Sequence, residues 1–309
     1  MSKAFSRYFF IEENMKTLNF LWKPKKCEDF IVKEVANFEE GKNHYLYLLV
    51  KRNLNTKELA KKLNFSYAGL KDKFSISFQY VSFDSFYKEK EFKKIDKGSW
   101  YYLCYLKTIK KKIKVGNLKG NKFLINIKNF PIKESLPKLM INYFDTQRFS
   151  KNVKRGKKLI KEGLRSFKRP NWLKSFFINS YLSYLWNKAI YSILSIYPGY
   201  FIEDKGFKFY ILENENNLLL LEQKYFPILG YKVKLNNFEK NVYEKILNKE
   251  GFSLDEIIEK LKKINVKGDY RKIYIKPQNI SFLANKTFIK FFLEKGAYAT
   301  MFLKHIQKI

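Results

Sequence analysis

The stretch Tyr67-Ala68-Gly69-Leu70-Lys71-Asp72-Lys73, with Gln79 shortly after it, sets one carboxylate between two lysines just beyond a glycine. Nearby cations favour the ionised form of an acid. Asp72 therefore reads as a candidate nucleophile or base rather than a proton donor. The plainer reading is a solvated turn, because Gly, Lys and Asp are ordinary turn residues. The rest of the chain is strongly basic: over 309 residues, 62 Lys and Arg stand against 29 Asp and Glu, a formal net charge of +33. The excess is concentrated, since Tyr105 to Lys174 holds 21 Lys and Arg against 3 Asp and Glu, a net of +18. Such a concentration is the expected footprint of a polyphosphate partner. An anionic membrane is the competing explanation, but no long basic helix with a clean apolar face stands out to lie on a bilayer.

Hydrophobic residues make up 46% of the chain and aromatics 18%, enough to build a large core. The length suits two domains. Cys27, Cys104, His44 and His305 are the full set of those two residue types. They are widely scattered and fit neither a zinc motif nor a disulfide framework. No apolar run approaches the roughly 20 residues needed to span a bilayer, and no signal-peptide stretch opens the chain. The expectation is a cytoplasmic, monomeric protein with no metal and no membrane attachment.

The elements that must position Asp72 are legible in outline. Phe30 to Val35 and His44 to Lys51 are rich in β-branched and aromatic residues and read as strands. Thr56, a plausible N-cap, opens a short helix to Leu63. Gln79 to Phe83, Tyr101 to Lys107 and Lys122 to Lys128 read as further strands, with Asn117 to Asn121 as a hairpin turn. Helical periodicity then covers Leu136 to Phe144, Val153 to Leu164 and Ser175 to Leu194. Ser253 and Glu256 form a capping box opening a helix through Ile264. After Gly268, strands return at Tyr270 to Ile275, Thr287 to Leu293 and Tyr298 to Leu303. Strand-rich ends around a helical middle predict an α+β protein with an inserted helical domain.

Six segments, in order along the chain, carry a resemblance. They are Glu28-Asp29-Phe30-Ile31-Val32-Lys33-Glu34, Asn53-Leu54-Asn55-Thr56, the 67–73 loop with Gln79, Gly120-Asn121-Lys122-Phe123, Asn142-Tyr143-Phe144 with Gln147-Arg148-Phe149, and Gly296-Ala297-Tyr298-Ala299-Thr300. Together they resemble the TruD-type tRNA pseudouridine synthases. The resemblance implies a pseudouridine-synthase mixed-sheet catalytic domain (1–138 and 276–309) interrupted by a mostly helical TRUD insertion (139–275). It implies isomerisation of uridine to pseudouridine in tRNA, usually at position 13, with no cofactor. It makes Asp72 the catalytic aspartate and puts Phe30, Asn121, Phe123 and Tyr298 around the target uridine. The family pairs a lysine with that aspartate; Lys23 and Lys25 straddle the matching position, which Pro24 occupies here, and Lys71 and Gln79 are further supporting candidates. Cys27 stands in place of the family's proline, and Asp145 and Ser150 in place of two glycines.

The chemistry suits these residue types. Pseudouridine formation breaks the bond from N1 to C1′, rotates the base and rejoins it through C5. One carboxylate can act as nucleophile or as base. An aromatic face such as Phe123 can stack on an extruded base, and the amide of Asn121, on the same strand face, can read a uracil edge. The bland counterparts are core aromatics for Phe30, Phe123 and Tyr298 and a turn residue for Asn121. Lys110, Lys111 and Lys112 read as a solvated run able to touch phosphate diffusely, and Lys151 to Arg169 as a basic helical face. Two other functions fit the composition: a non-catalytic RNA-binding protein, and an isomerase redirected to another RNA.

Overall fold

The computed structural model describes residues 15–164 and 170–309. In chain order its strands are β1 Thr17–Asn19, β2 Phe30–Val35, β3 Glu40–Arg52, β4 Ser66–Tyr67, β5 Ile76–Phe83, β6 Lys90–Lys94, β7 Trp100–Ile109 and β8 Gly120–Asn126. They continue with β9 Met140–Ile141, β10 Gly199–Asp204, β11 Phe207–Leu212, β12 Tyr225–Ile228, β13 Asp269–Lys272, β14 Tyr274–Ile275, β15 Gln278–Leu283 and β16 Phe288–Glu294. The helices are α1 Thr56–Leu63, α2 Ser150–Glu162, α3 Asn171–Leu194, α4 Asn237–Glu250, α5 Leu254–Lys263 and α6 Ala299–Ile306. The architecture is α+β, and the chain divides into two units.

The first unit comprises Leu21–Pro131 and Lys276–Ala299. Its mixed sheet runs β15-β16-β8-β2-β5-β3-β7-β6, with β4 added to β5. Only the β2–β5 pair is parallel among its described pairs. Period-two alternation sets the faces: along β2, Phe30, Val32 and Glu34 are buried while Lys33 between them is exposed. Cross-strand partners share a face, so one row reads Phe291, Phe123, Val32, Ser77, Lys51 and Tyr101. In the neighbouring row Glu34 lies opposite Asn121, itself opposite Leu293.

Helix α1 covers part of this face, packing Leu59 and Ala60 into one apolar cluster with Tyr47, Leu49, Val81 and Leu103. Its N-cap is Asn55, whose side chain accepts from the N–H groups of Lys57 (2.8 Å) and Glu58 (3.4 Å). The cap thus falls one residue before the expected Thr56, whose hydroxyl is left for other work. Asn64 in left-handed conformation (φ 58°) ends the helix.

Three local expectations are corrected. Asn117 to Asn121 is no hairpin turn, because β7 and β8 are separated in the sheet by β3, β5 and β2, and Gly120 and Asn121 already belong to β8. Leu136 to Phe144 is not a helix; it contains β9, paired with β14. Tyr298 to Leu303 is not a strand, since α6 begins at Ala299.

Of the described residues, the second unit comprises Ile132–Ile275, Thr300–Ile309 and 15–20. It holds α2 to α6 with three small sheets, β1-β10-β11, β12-β13 and β9-β14. Lys304 is wholly buried and bridges Asp145 (2.7 Å) and Asp204 (2.9 Å), while Thr300 donates to Asp145 (2.6 Å). Asp145 therefore sits in a buried ion-pair network at a position where the resembled pattern has glycine. His305 accepts from the Ile141 N–H at Nε2 and meets the Met301 carbonyl at Nδ1. Burial pushes this imidazole down to about 3, so it is neutral and ties α6 to β9.

A Cβ at Gly120 would collide with the Leu293 carbonyl and the Phe292 ring of β16, so glycine permits the close β8–β16 approach. We expect Gly120→Ala to lose about 1–3 kcal/mol, the usual range for overpacking. Urea unfolding checks this, and an unchanged midpoint would contradict the packing account.

Candidate active site

The 67–73 loop leaves β4 and is fastened in part by the side chains of Thr56, Ser75 and Lys51. Thr56 Oγ1 accepts from the Lys71 N–H (3.4 Å) and donates to Gln79 Oε1 (3.0 Å). Ser75 Oγ donates to the Asp72 carbonyl (2.7 Å). Lys51 Nζ donates to the same carbonyl (3.0 Å) and to that of Leu54 (2.7 Å). The Asp72 side chain is exposed at the surface of this anchored loop.

Beneath the loop lies a polar patch in an otherwise apolar face. Glu34, wholly buried, accepts from Lys71 Nζ (2.5 Å) with one oxygen and from the Tyr80 N–H (2.9 Å) with the other. Asn121 on β8 lies opposite Glu34, and Gln79 lies on β5, the strand on the other side of β2. Asn121 Oδ1, Gln79 Nε2 and Ser77 Oγ are buried and have no hydrogen-bond partner among the described residues. A buried unsatisfied polar atom costs about 1–3 kcal/mol. Three of them around one loop mark a place built to meet a polar ligand.

Aromatic rings border the patch. Phe30 and Phe123 are buried and meet edge-on at 5.9 Å; Phe123 stacks on Phe291 at 5.3 Å, and Trp22 lies 6.0 Å from Phe30. The segment entering β2 is locked by Asp29, which accepts from the N–H groups of Lys25 (2.8 Å) and Lys26 (3.0 Å) and from Asn126 Nδ2 (2.9 Å). Tyr298 is half-buried and follows the turn that ends β16.

The structure thus brings Phe30, Asn121, Phe123, Lys71 and Gln79 onto or against one sheet face, with the Asp72 loop anchored above it. Lys23 and Lys25 are exposed, and the ammonium of Lys71 is committed to Glu34. The lysine under the Asp72 backbone is Lys51, which sequence reasoning missed together with Glu34 and Ser75. Burial depresses the Lys51 ammonium to about 8; the Asp72 charge opposes that shift, and the Lys71 charge adds to it. Burial likewise raises the nearby Cys27 thiol.

Basic groups border the same unit. A cleft of about 780 Å³ is lined by Lys110, Lys111, Lys112, Lys114, Lys119 and His44. Lys110 pairs with Glu39 and Lys112 with Asp84 at the surface, where such pairs are weak and exchange readily for phosphate. In the other unit α2 exposes Lys151, Lys154, Arg155, Lys158 and Lys161, while Arg165, Lys168 and Arg169 lie outside the described residues. Among the described residues, no helix is long and apolar enough to cross a membrane, and no group of three or more His, Cys, Asp or Glu could hold a metal ion.

Comparisons with known proteins bear on the family and the fold. The chain is 27% identical to a protein named probable tRNA pseudouridine synthase D 2 of Methanocaldococcus jannaschii, over 90% of both chains. It is 28% identical to the tRNA pseudouridine synthase D of Thermus thermophilus, over 91% of this chain and 87% of that one. A crystal structure of the putative tRNA pseudouridine synthase D from Methanosarcina mazei has the same fold, with a TM-score of 0.55 and 20% identity over 96% of this chain and 95% of that one. The family model for tRNA pseudouridine synthase D (TruD) matches residues 24–169 and 221–306, most of the sequence; the chain belongs to the TruD family.

Proposed function

We propose that this protein isomerises uridine to pseudouridine in tRNA, at position 13, with Asp72 as its catalytic carboxylate. Leu21–Pro131 with Lys276–Ala299 is then the catalytic domain, and the helical segment within 139–275 the insertion that helps grip the RNA. The observation that carries this reading is the convergence of four separated segments (30–34, 51–56, 67–79 and 120–123) on one polar patch with unpaired buried atoms.

The reaction balances without a redox partner: the N1–C1′ bond breaks, a C5–C1′ bond forms, the C5 proton leaves and N1 gains one. Asp72 acts on the ribose or the base, as nucleophile or as base, from the exposed side of its loop. A uridine inside a folded RNA has to leave its stack first, at a cost of a few kcal/mol. Contact with the Phe30–Phe123 cluster can return about 1–3 kcal/mol of that. Asn121 Oδ1, unpaired among the described residues, would accept the uracil N3–H. The Lys110–Lys112 run and the α2 face would neutralise phosphates and hold the RNA in register.

With tRNA transcripts tritiated at uracil C5, the parent protein should release label. Asp72→Asn should slow release by at least about 100-fold, the lower range for loss of a positioned acid–base group. Full release from that variant would contradict the assignment. Affinity for tRNA should fall with salt along a slope near −0.7 to −0.9 per phosphate contacted. Replacing Lys110, Lys111 and Lys112 together with Ala should flatten that slope by about 1 per contact removed. An identical slope in both proteins would remove the run from the interface.

A further inference from the structure

We propose that Lys51 is the positioning residue of the active site: its ammonium, held between the Leu54 and Asp72 carbonyls, fixes the backbone of the catalytic loop and sets a positive charge beneath it. The inference rests on the reading of Asp72 given above. Lys51 is wholly buried in mid-sheet, in the row that also holds Ser77 and Phe123. Nothing in strand pairing requires a charge there, and Leu49 and Tyr47 occupy the same face of β3 as apolar neighbours. Its two acceptors are not ladder partners. Leu54 lies in the turn before α1 and Asp72 in the loop after β4, so a single ammonium joins two loops. The Asp72 carbonyl also accepts from Ser75 Oγ, and the Ser75 carbonyl takes the Asn53 N–H (3.2 Å), which closes the same clamp from the other side.

A charge this deeply buried lowers stability unless it is compensated. Apolar residues of similar length could fill the space. The retained lysine therefore serves the loop rather than the core. The titratable groups that act on it are Asp72 and Lys71 on the loop and Cys27 on the turn before β2, and burial brings its deprotonation to about 8. Since only the protonated form carries three donors and a charge, turnover should decline as pH rises through that value.

The experiment compares the parent, Lys51→Met, Lys51→Arg and Asp72→Asn in single-turnover tritium release, with tRNA affinity and thermal melting measured on each. Lys51→Met should be at least 50-fold slower at saturating protein, bind tRNA within about threefold of the parent, and melt no lower at pH 7. Lys51→Arg should keep more activity than Lys51→Met and lose the decline near pH 8, because arginine stays charged. A folded Lys51→Met that turns over within threefold of the parent overturns the proposal. Should Lys51→Met fail to fold, Lys51→Arg decides: a decline near pH 8 identical to the parent's also overturns it. Asp72→Asn separates the two claims. If that variant is active the reading of Asp72 fails; if it is inactive while Lys51→Met is fully active, only the role of Lys51 fails.

Discussion

The register of β2 against β8 is the constraint on which the site depends. With Val32 opposite Phe123 and Glu34 opposite Asn121, the aromatic pair and the polar pair face the same way. A slip of one residue would turn Phe30, Val32 and Glu34 to the other side and disperse the patch. The register is held at both ends of the contact. Asp29 locks the entry to β2 through Lys25, Lys26 and Asn126, and Trp22 Nε1 donates to the Asn126 carbonyl (2.8 Å). At the far end Glu34 takes the Tyr80 N–H, which β2 does not pair because its described partners on β5 stop at Phe78.

Buried charge is used twice, to different ends. In the helical unit Lys304 meets two carboxylates, and the network binds α6 to the segment around Asp145. In the strand-rich unit Lys71 meets Glu34, while Lys51 donates to the carbonyls of Leu54 and Asp72. The ion-paired lysines serve docking of elements. The carbonyl-bound one leaves its field available to the exposed acid above it.

Much of this was readable from residues alone. The strand alternation around Phe30 and Phe123, the short helix after Asn55 and the helical middle all follow from periodicity. Two inward-facing charges were readable in principle. Glu34 shares parity with Phe30 and Val32, and Lys51 with Tyr47 and Leu49; a charge in a buried parity position signals a partner or a function. What misled were stretches buried on every side. Residues 140–144 are all buried, so no period distinguishes strand from helix there, and α6 is buried from Met301 to Ile306 and reads as a strand. The supposed hairpin at Asn117 failed for another reason: β8 pairs with β2 and β16, which are distant in sequence, and turn chemistry carries no information about such partners.

The most direct test is position-resolved mapping of pseudouridine in a tRNA transcript, read as carbodiimide adducts that survive alkaline treatment. After incubation with the parent protein, one uridine in the D-arm should become an adduct stop, and with Asp72→Asn that stop should be absent. An unmodified transcript under conditions where the parent protein binds it, or the same stop with both proteins, would contradict the account.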